Sequence, residues 1–290
     1  MRANKRFLSA VLLIAALFLM LAVCEALSQE DCHAAIPAAV KKKARAYQKK
    51  VNKIFKVNGA KYCFRNRKVR TGQRKVGSYY YFFNKSNGKM MKNTGVKLGT
   101  KIFFFKANGR KYKYGYKPTG TAKGNAAAGV IISAAGLQPK AEPTNAQLKA
   151  AYNKITSRTS YGIVENPNLG SRAWIAKYAY TAAIKKQGKC YNLAALTYLT
   201  YKALGAKPKL QVGKCNRKPD PSKTDAENKK AAGEHAWVTI AGNNTLIYDS
   251  IFDLGNATPQ FFGKKFSPDK KTDAYKVQGK DYLYYLNKTF

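Results

Sequence analysis

Between Asp31 and Glu142 the chain has no acidic residue, while residues 41–117 carry 25 Lys and Arg. A segment so one-sided in charge repels itself unless an anionic partner neutralises it. It is not a featureless basic tail, because aromatic clusters interrupt the cations at a regular period. Tyr62-Cys63-Phe64, Tyr81-Phe82-Phe83 and Phe103-Phe104-Phe105 are each followed by a turn and a basic run closed by glycine. The Asn-Gly pairs at 87–88 and 108–109 lie 21 residues apart, and Asn-Gly between short β-prone runs is a strong hairpin signal. A repeat of about 20 residues predicts stacked hairpins in a solenoid over 57–117. Tyr62, Phe64, Tyr81, Phe83, Phe103 and Phe105 are the candidate ligand-binding aromatics, and the same rings serve equally as the module's own core.

The N-terminus explains where the polyanion would be met. A basic start, Met1 to Arg6, precedes an uncharged apolar run from Phe7 to Cys24, which is the pattern of a signal peptide cleaved after Ala26 or Ser28. The run could also just span a bilayer uncleaved, the one membrane contact expected. Leu21-Ala22-Val23-Cys24 approaches a lipobox, but Val23 stands where a small residue is needed, which weighs against lipidation at Cys24. Export favours a wall or surface polyanion such as teichoic acid or acid polysaccharide over nucleic acid, because a phosphate polymer obeys the same counterion-release physics as DNA. Net charge is +40 over 290 residues. Residues 27–56 read as a basic helical segment, with Val40, Ala44, Tyr47, Val51 and Ile54 as an apolar stripe. That stripe could pack on the repeats, lie on a membrane, or belong to a solvated spacer.

Lys117 to Pro143 reads as a linker, 118–143, holding one short helix over 126–135. Thr144-Asn145-Ala146-Gln147 then matches a capping box and opens a second domain, 144–290. Ten of the 14 acidic residues fall between Glu165 and Asp281. Within this domain Cys190 heads an apolar helix, where the unsatisfied N–H groups and the helix dipole favour a thiolate. His235 opens a predicted strand running to Ile240, and Asp249 closes another that begins at Thr245. With Ala241 to Asn244 as the turn, a hairpin centred on Gly242 sets His235 opposite Asp249 on one face. His33 lies just after the signal region, so His235 is the plausible base. Cys, His and Asp in these roles are nucleophile, base and orienter. Asp253 is the nearest substitute for Asp249.

Cys190 at the head of its helix, His235-Ala236-Trp237-Val238, and Tyr248-Asp249 together resemble the transglutaminase-like superfamily over roughly 145–255. The resemblance implies an α+β, papain-like core with a Cys-His-Asp triad in this order, acting on peptide or amide substrates through a thioester. The basic hairpins resemble the choline-binding and glucan-binding wall repeats of Gram-positive surface proteins. Those repeats usually carry tryptophan, whereas both tryptophans here lie elsewhere, at 174 and 237. The expected protein is therefore a secreted, wall-retained cysteine hydrolase or acyltransferase of a Gram-positive bacterium.

Acyl transfer needs an oxyanion hole. The Cys190 N–H is the first expected donor, with Gln187 and Trp174 as candidates for the second. Tyr191 and Trp237 are expected at the cleft. No cofactor is expected, and no Cys/His spacing suggests a metal. Cys32, Cys63, Cys190 and Cys215 could form two disulfides, or Cys32 could pair with Cys63 and leave the other two free. A lone cysteine on an apolar helix is ordinarily an inert core residue. The non-enzymatic alternative is accordingly a wall-binding or adhesion protein whose transglutaminase-like domain only binds.

Overall fold

The computed structural model describes residues 35–162, 164–240 and 245–290. Cys24, Cys32 and His33, and the expected turn over 241–244, lie outside the described residues. The chain divides into two compact units, one up to Met90 and one from Met91 to Phe290.

In the first unit, helix α1 (Ala38–Ala46) precedes β1 (Lys53–Val57), β2 (Ala60–Arg65) and β3 (Lys68–Arg70), which form one antiparallel sheet. A separate hairpin pairs β4 (Gly72–Val76) with β5 (Tyr79–Phe83). The helix is shorter than the sequence pattern predicts: it stops at Ala46, and Val51 is 63% exposed instead of continuing the apolar stripe. The physical reason lies downstream. Asn58 and Gly59 take φ of 47° and 78°, the left-handed pair that a two-residue type I′ hairpin requires. The resulting β1–β2 ladder keeps Lys53 to Val57, and so Ile54, extended.

Of the uses open to the stripe, Val40 and Ala44 take the packed one, against Tyr62 and Phe64. Tyr62, Phe64 and Phe83 are buried, as is Phe105 in the second unit. These four rings are hairpin core, and a side chain without surface cannot touch a polymer. Tyr81 and Phe103 are half-buried, while the exposed aromatics of the described hairpin strands are Tyr79 and Tyr80.

The second unit begins with a three-stranded sheet, β6 (Thr94–Leu98), β7 (Lys101–Phe105) and β8 (Lys111–Tyr116), followed by α2 (Ala122–Ala134). Next come α3 (Asn145–Thr156), the two-residue β9 (Ser160–Tyr161), α4 (Ala173–Lys185), the two-residue β10 (Gln187–Gly188) and α5 (Cys190–Leu204). The strands β11 (Pro208–Asn216), β12 (Gly233–Ile240), β13 (Leu246–Tyr248), β14 (Phe262–Pro268), β15 (Tyr275–Val277) and β16 (Leu283–Thr289) close into an antiparallel barrel, with α6 (Asp225–Ala231) between β11 and β12. The sequence predicts a short helix over 126–135 inside a linker at 118–143; the helix is there as α2, starts earlier, at Ala122, and has eight buried residues, from Gly124 to Ile132. Its alanines and glycines let neighbours approach closely: a Cβ on Gly129 would lie 2.6 Å from both the Phe104 ring and the Tyr116 hydroxyl. The last hairpin thereby shares one core with the helices, through Ile102, Phe104, Tyr112 and Tyr116. The capping box opens α3 as the sequence indicates, with Thr144 and Gln147 bonding each other's backbone.

Helix α5 is buried nearly all round, as a helix apolar on every face must be. It ends at Gly205, whose φ of 114° supplies the left-handed cap. Strand alternation on β12 sends Ala236 and Val238 to the core shared with α5, and Trp237 into the barrel interior.

At the β11–β16 seam the register shifts between Val212 and Gly213, and a Cβ on Gly213 would fall 1.9 Å from the Tyr285 carbonyl oxygen. Gly213→Ala must therefore part the seam, at a cost of about 1–3 kcal/mol. Gly233→Ala, with nothing within 4 Å of its Cβ, should stay within about 0.5 kcal/mol of the parent. Urea unfolding of the two variants measures the contrast.

Candidate functional site

Cys190, His235 and Asp249 meet at the barrel end that faces the start of α5. His235 follows Glu234 at the opening of β12 and shares its strand face with Trp237, while Asp249 comes directly after β13. The β12–β13 pairs are Val238 with Tyr248, Thr239 with Ile247 and Ile240 with Leu246. This register differs from the one centred on Gly242 and brings Asp249 level with Trp237. His235 and Asp249 are thus diagonal neighbours on the same face instead of directly opposed. Five residues separate Ile240 from Leu246, the odd count that preserves the face. The diagonal is bridged by the side chains themselves, His235 Nε2 lying 2.6 Å from Asp249 Oδ2.

The carboxylate has a second partner that the sequence did not reveal. Tyr284 Oη on β16 donates to the same Oδ2 at 2.9 Å. Asp249 is 1% exposed, and its Oδ1 has no hydrogen-bond partner among the described residues. Asp253, the sequence alternative, is otherwise engaged: it accepts from Tyr152 Oη at 2.7 Å and from the backbone N–H groups of Gln260 and Phe261 at 2.6 and 2.8 Å. It anchors the loop after β13 and makes no contact with the imidazole.

The His235 ring lies between two aromatic rings. Phe252 stacks on it with centroids 4.8 Å apart and planes 14° apart, and Trp237 is nearly parallel at 5.9 Å. Burial alone would lower the ring's proton affinity. The Asp249 carboxylate, with the Cys190 sulfur adding to it, outweighs this and raises the pKa to about 10. With Nε2 turned to Asp249, Nδ1 is the nitrogen left for the thiol. The arrangement can hold a proton between sulfur and imidazole and keep the ring oriented while it moves.

Cys190 stands at the first position of α5, where helix N–H groups have no intrahelical acceptor. Its helix start is fixed by Asn192, whose Oδ1 accepts the Lys189 N–H at 3.2 Å and whose Nδ2 donates to the Tyr178 carbonyl. Cys190 and His235 open onto a cleft of 490 Å³ whose wall includes Tyr161, Cys215, Arg217 and Phe252. Tyr191 and Trp237, expected at the cleft, are buried instead. Tyr191 packs edge-on to Trp174 and donates to Glu234 Oε2 at 3.3 Å. Of the expected oxyanion donors Cys190 lines the cleft, whereas the two candidates for the second, Gln187 and Trp174, do not. Trp174 is buried against Tyr178 and Phe290 with its indole N–H unpartnered, and Gln187 is exposed beside Gly162.

Cys190 and Cys215 are free thiols, and Cys63 is buried, with its expected partner Cys32 outside the described residues. Burial raises the Cys63 thiol to about 11 and pushes Cys215 up further. Among the described residues no cluster of His, Cys, Asp and Glu could hold a metal ion. Phe252 was within reach of sequence reasoning, three residues after Asp249. Tyr284 and Cys215 were not, because only barrel closure brings them here.

No protein-family model matches the chain, and no curated protein does. Among solved structures it is similar to the choline binding domain of Spr1274 in Streptococcus pneumoniae, at 25% identity over 20% of this chain and 71% of that one, with a TM-score of 0.19. It is also similar to choline binding protein F from Streptococcus pneumoniae, at 27% identity over 24% of this chain and 23% of that one, with a TM-score of 0.20. Likenesses of this extent assign neither fold nor ligand.

A ring whose pKa rises from 6.5 to about 10 on folding contributes stability that is fully present below pH 6.5 and lost as the pH climbs through about 10. The unfolding free-energy difference between the protein and its His235→Asn variant should therefore be largest below pH 6.5 and shrink toward pH 10. Urea titrations across that range measure it, and a flat difference would mean that the folded ring is neutral.

Proposed function

We propose that the chain is a cysteine acyl-transfer enzyme of transglutaminase-like type, with a papain-like core, exported and retained on an anionic wall by its basic hairpins. The observation that carries this proposal is the His235–Asp249 hydrogen bond with His235 and Cys190 lining the same cleft. The two buried residues are bonded as a nucleophile's base and orienter need to be.

The chemistry follows from those positions. Cys190 Sγ adds to the carbonyl carbon of a peptide or amide, and the displaced electron pair gathers on oxygen, where the Cys190 N–H is placed to donate. The carbonyl re-forms as the C–N bond breaks, and the proton held by His235 passes to the leaving nitrogen. A thioester remains. Water or a primary amine then adds while His235 takes its proton, and Sγ departs as the thiolate. Asp249 keeps Nε2–H pointed inward throughout, so Nδ1 always serves the reacting side. Which acceptor enters decides between hydrolysis and cross-linking.

The wall-retention part is supported by charge: 25 cations and no carboxylate between 41 and 117. With most repeat aromatics in the hairpin cores, the proposed ligand contact is made by lysines and arginines, which suits teichoic acid or acid polysaccharide.

Iodoacetamide at pH 6–7 should alkylate Cys190 alone, since burial raises the other two described thiols. His235→Ala should slow that alkylation and lower acyl transfer by about 10²–10⁴-fold. Peptide mapping by mass spectrometry, with and without a small amine, separates hydrolysis from amine incorporation. A Cys190 no faster than Cys63 would leave a binding domain only. Binding of the full chain to purified walls should fall by about 10³-fold or more between about 50 and 200 mM salt, and equal binding to walls stripped of anionic polymer would refute charge retention.

A further inference from the structure

Arg217 stands out on the wall of the Cys190 cleft. It lies just past the end of β11, and its guanidinium sits 5.8 Å from the centroid of the Phe252 ring that stacks on His235. A long side chain resting on an aromatic ring is held in place, so less entropy is lost when it binds something. Among the described residues Arg217 forms no ion pair: those present are Lys223 with Asp220, His235 with Asp249 and Lys276 with Asp269. Glu234, the acid on the same cleft, is 3.3 Å from the Tyr191 hydroxyl and forms no ion pair with Arg217.

Arg217 also marks a junction. A second cleft of 580 Å³ shares Cys215, Arg217 and Gly233 with the first and continues over Lys218 and Tyr282. A chain bound at Cys190 and running past Cys215 must pass the guanidinium. We propose that Arg217 determines the specificity of the Cys190 site by taking a carboxylate of the acyl donor, so that the substrates are peptides or amides with a free acid close to the scissile carbonyl. This rests on Cys190 being the nucleophile of the preceding section. The planar fork of arginine matches a carboxylate with two parallel hydrogen bonds, which a general positive field would not distinguish from any other anion.

A matched pair of thiol reagents tests this on the full chain without a known substrate. Iodoacetylglycine and iodoacetylglycinamide share one reactive group and differ in a terminal carboxylate against a carboxamide. The ratio of their Cys190 alkylation rates, followed by mass spectrometry, should favour the acid in the parent protein and fall about tenfold in Arg217→Gln. In Lys218→Gln, which removes the same unit of charge next door, the ratio should stay near the parent value. An unchanged ratio in Arg217→Gln, or an equal fall in both variants, would overturn the proposal even where Cys190 reacts fast with both reagents. If Cys190 reacts slowly with both and His235→Ala changes nothing, it is the nucleophile assignment that fails.

Discussion

A carboxylate 1% exposed has given up its water and must be answered by the protein. Asp249 is answered on one oxygen by two groups, the His235 ring and the Tyr284 hydroxyl. These three residues come from the start of β12, the end of β13 and β16, so a single buried charge ties β16 to the β12–β13 pair, with which it shares no ladder. The ring is in turn held between Phe252 and Trp237. Orientation of the imidazole therefore comes from bonds in its plane and stacking across it, and either constraint alone would leave one axis of rotation free.

The other half of the geometry is a matter of which end of a helix is allowed to see solvent. Helix α5 is surrounded by α2, α3, α4 and the β11–β12 face, and its first residue is its partly exposed cysteine. Cys63 and Cys215 are buried and their thiols pushed up by that burial, although Cys215 reaches the cleft wall. Three cysteines of identical chemistry are thus separated by position alone, and the one at the helix start is beside the histidine.

Local signals were legible and long-range closure was not. The type and order of the elements bearing Cys190, His235 and Asp249 followed from apolar periodicity, a capping box and strand alternation. The register between β12 and β13 was off because a hairpin centre cannot be read to one residue in a run of Ala, Gly and Asn. The hairpin aromatics were visible as a repeat, but whether Tyr62, Phe64, Phe83 and Phe105 face in or out depends on neighbours that periodicity does not name. Residues 118–143 looked like linker because small residues suit both a loose chain and a tightly packed helix. Only the Phe104 ring against Gly129 decides between these. Tyr284 had no local signal at all.

That close approach at Gly129 limits where the chain can be lengthened or cut. Hairpins that fold within the segment up to Met90 bury their rings among themselves and with α1. The β6–β8 hairpin has no such independence, since its Ile102, Phe104, Tyr112 and Tyr116 fill the same interior that supports α5. A fragment begun at Thr144, on the strength of its capping box, would lose both that hairpin and α2 and leave the inner faces of two further helices wet. The smallest soluble piece carrying Cys190 accordingly starts near Met91, inside what looks by sequence like a wall-binding array.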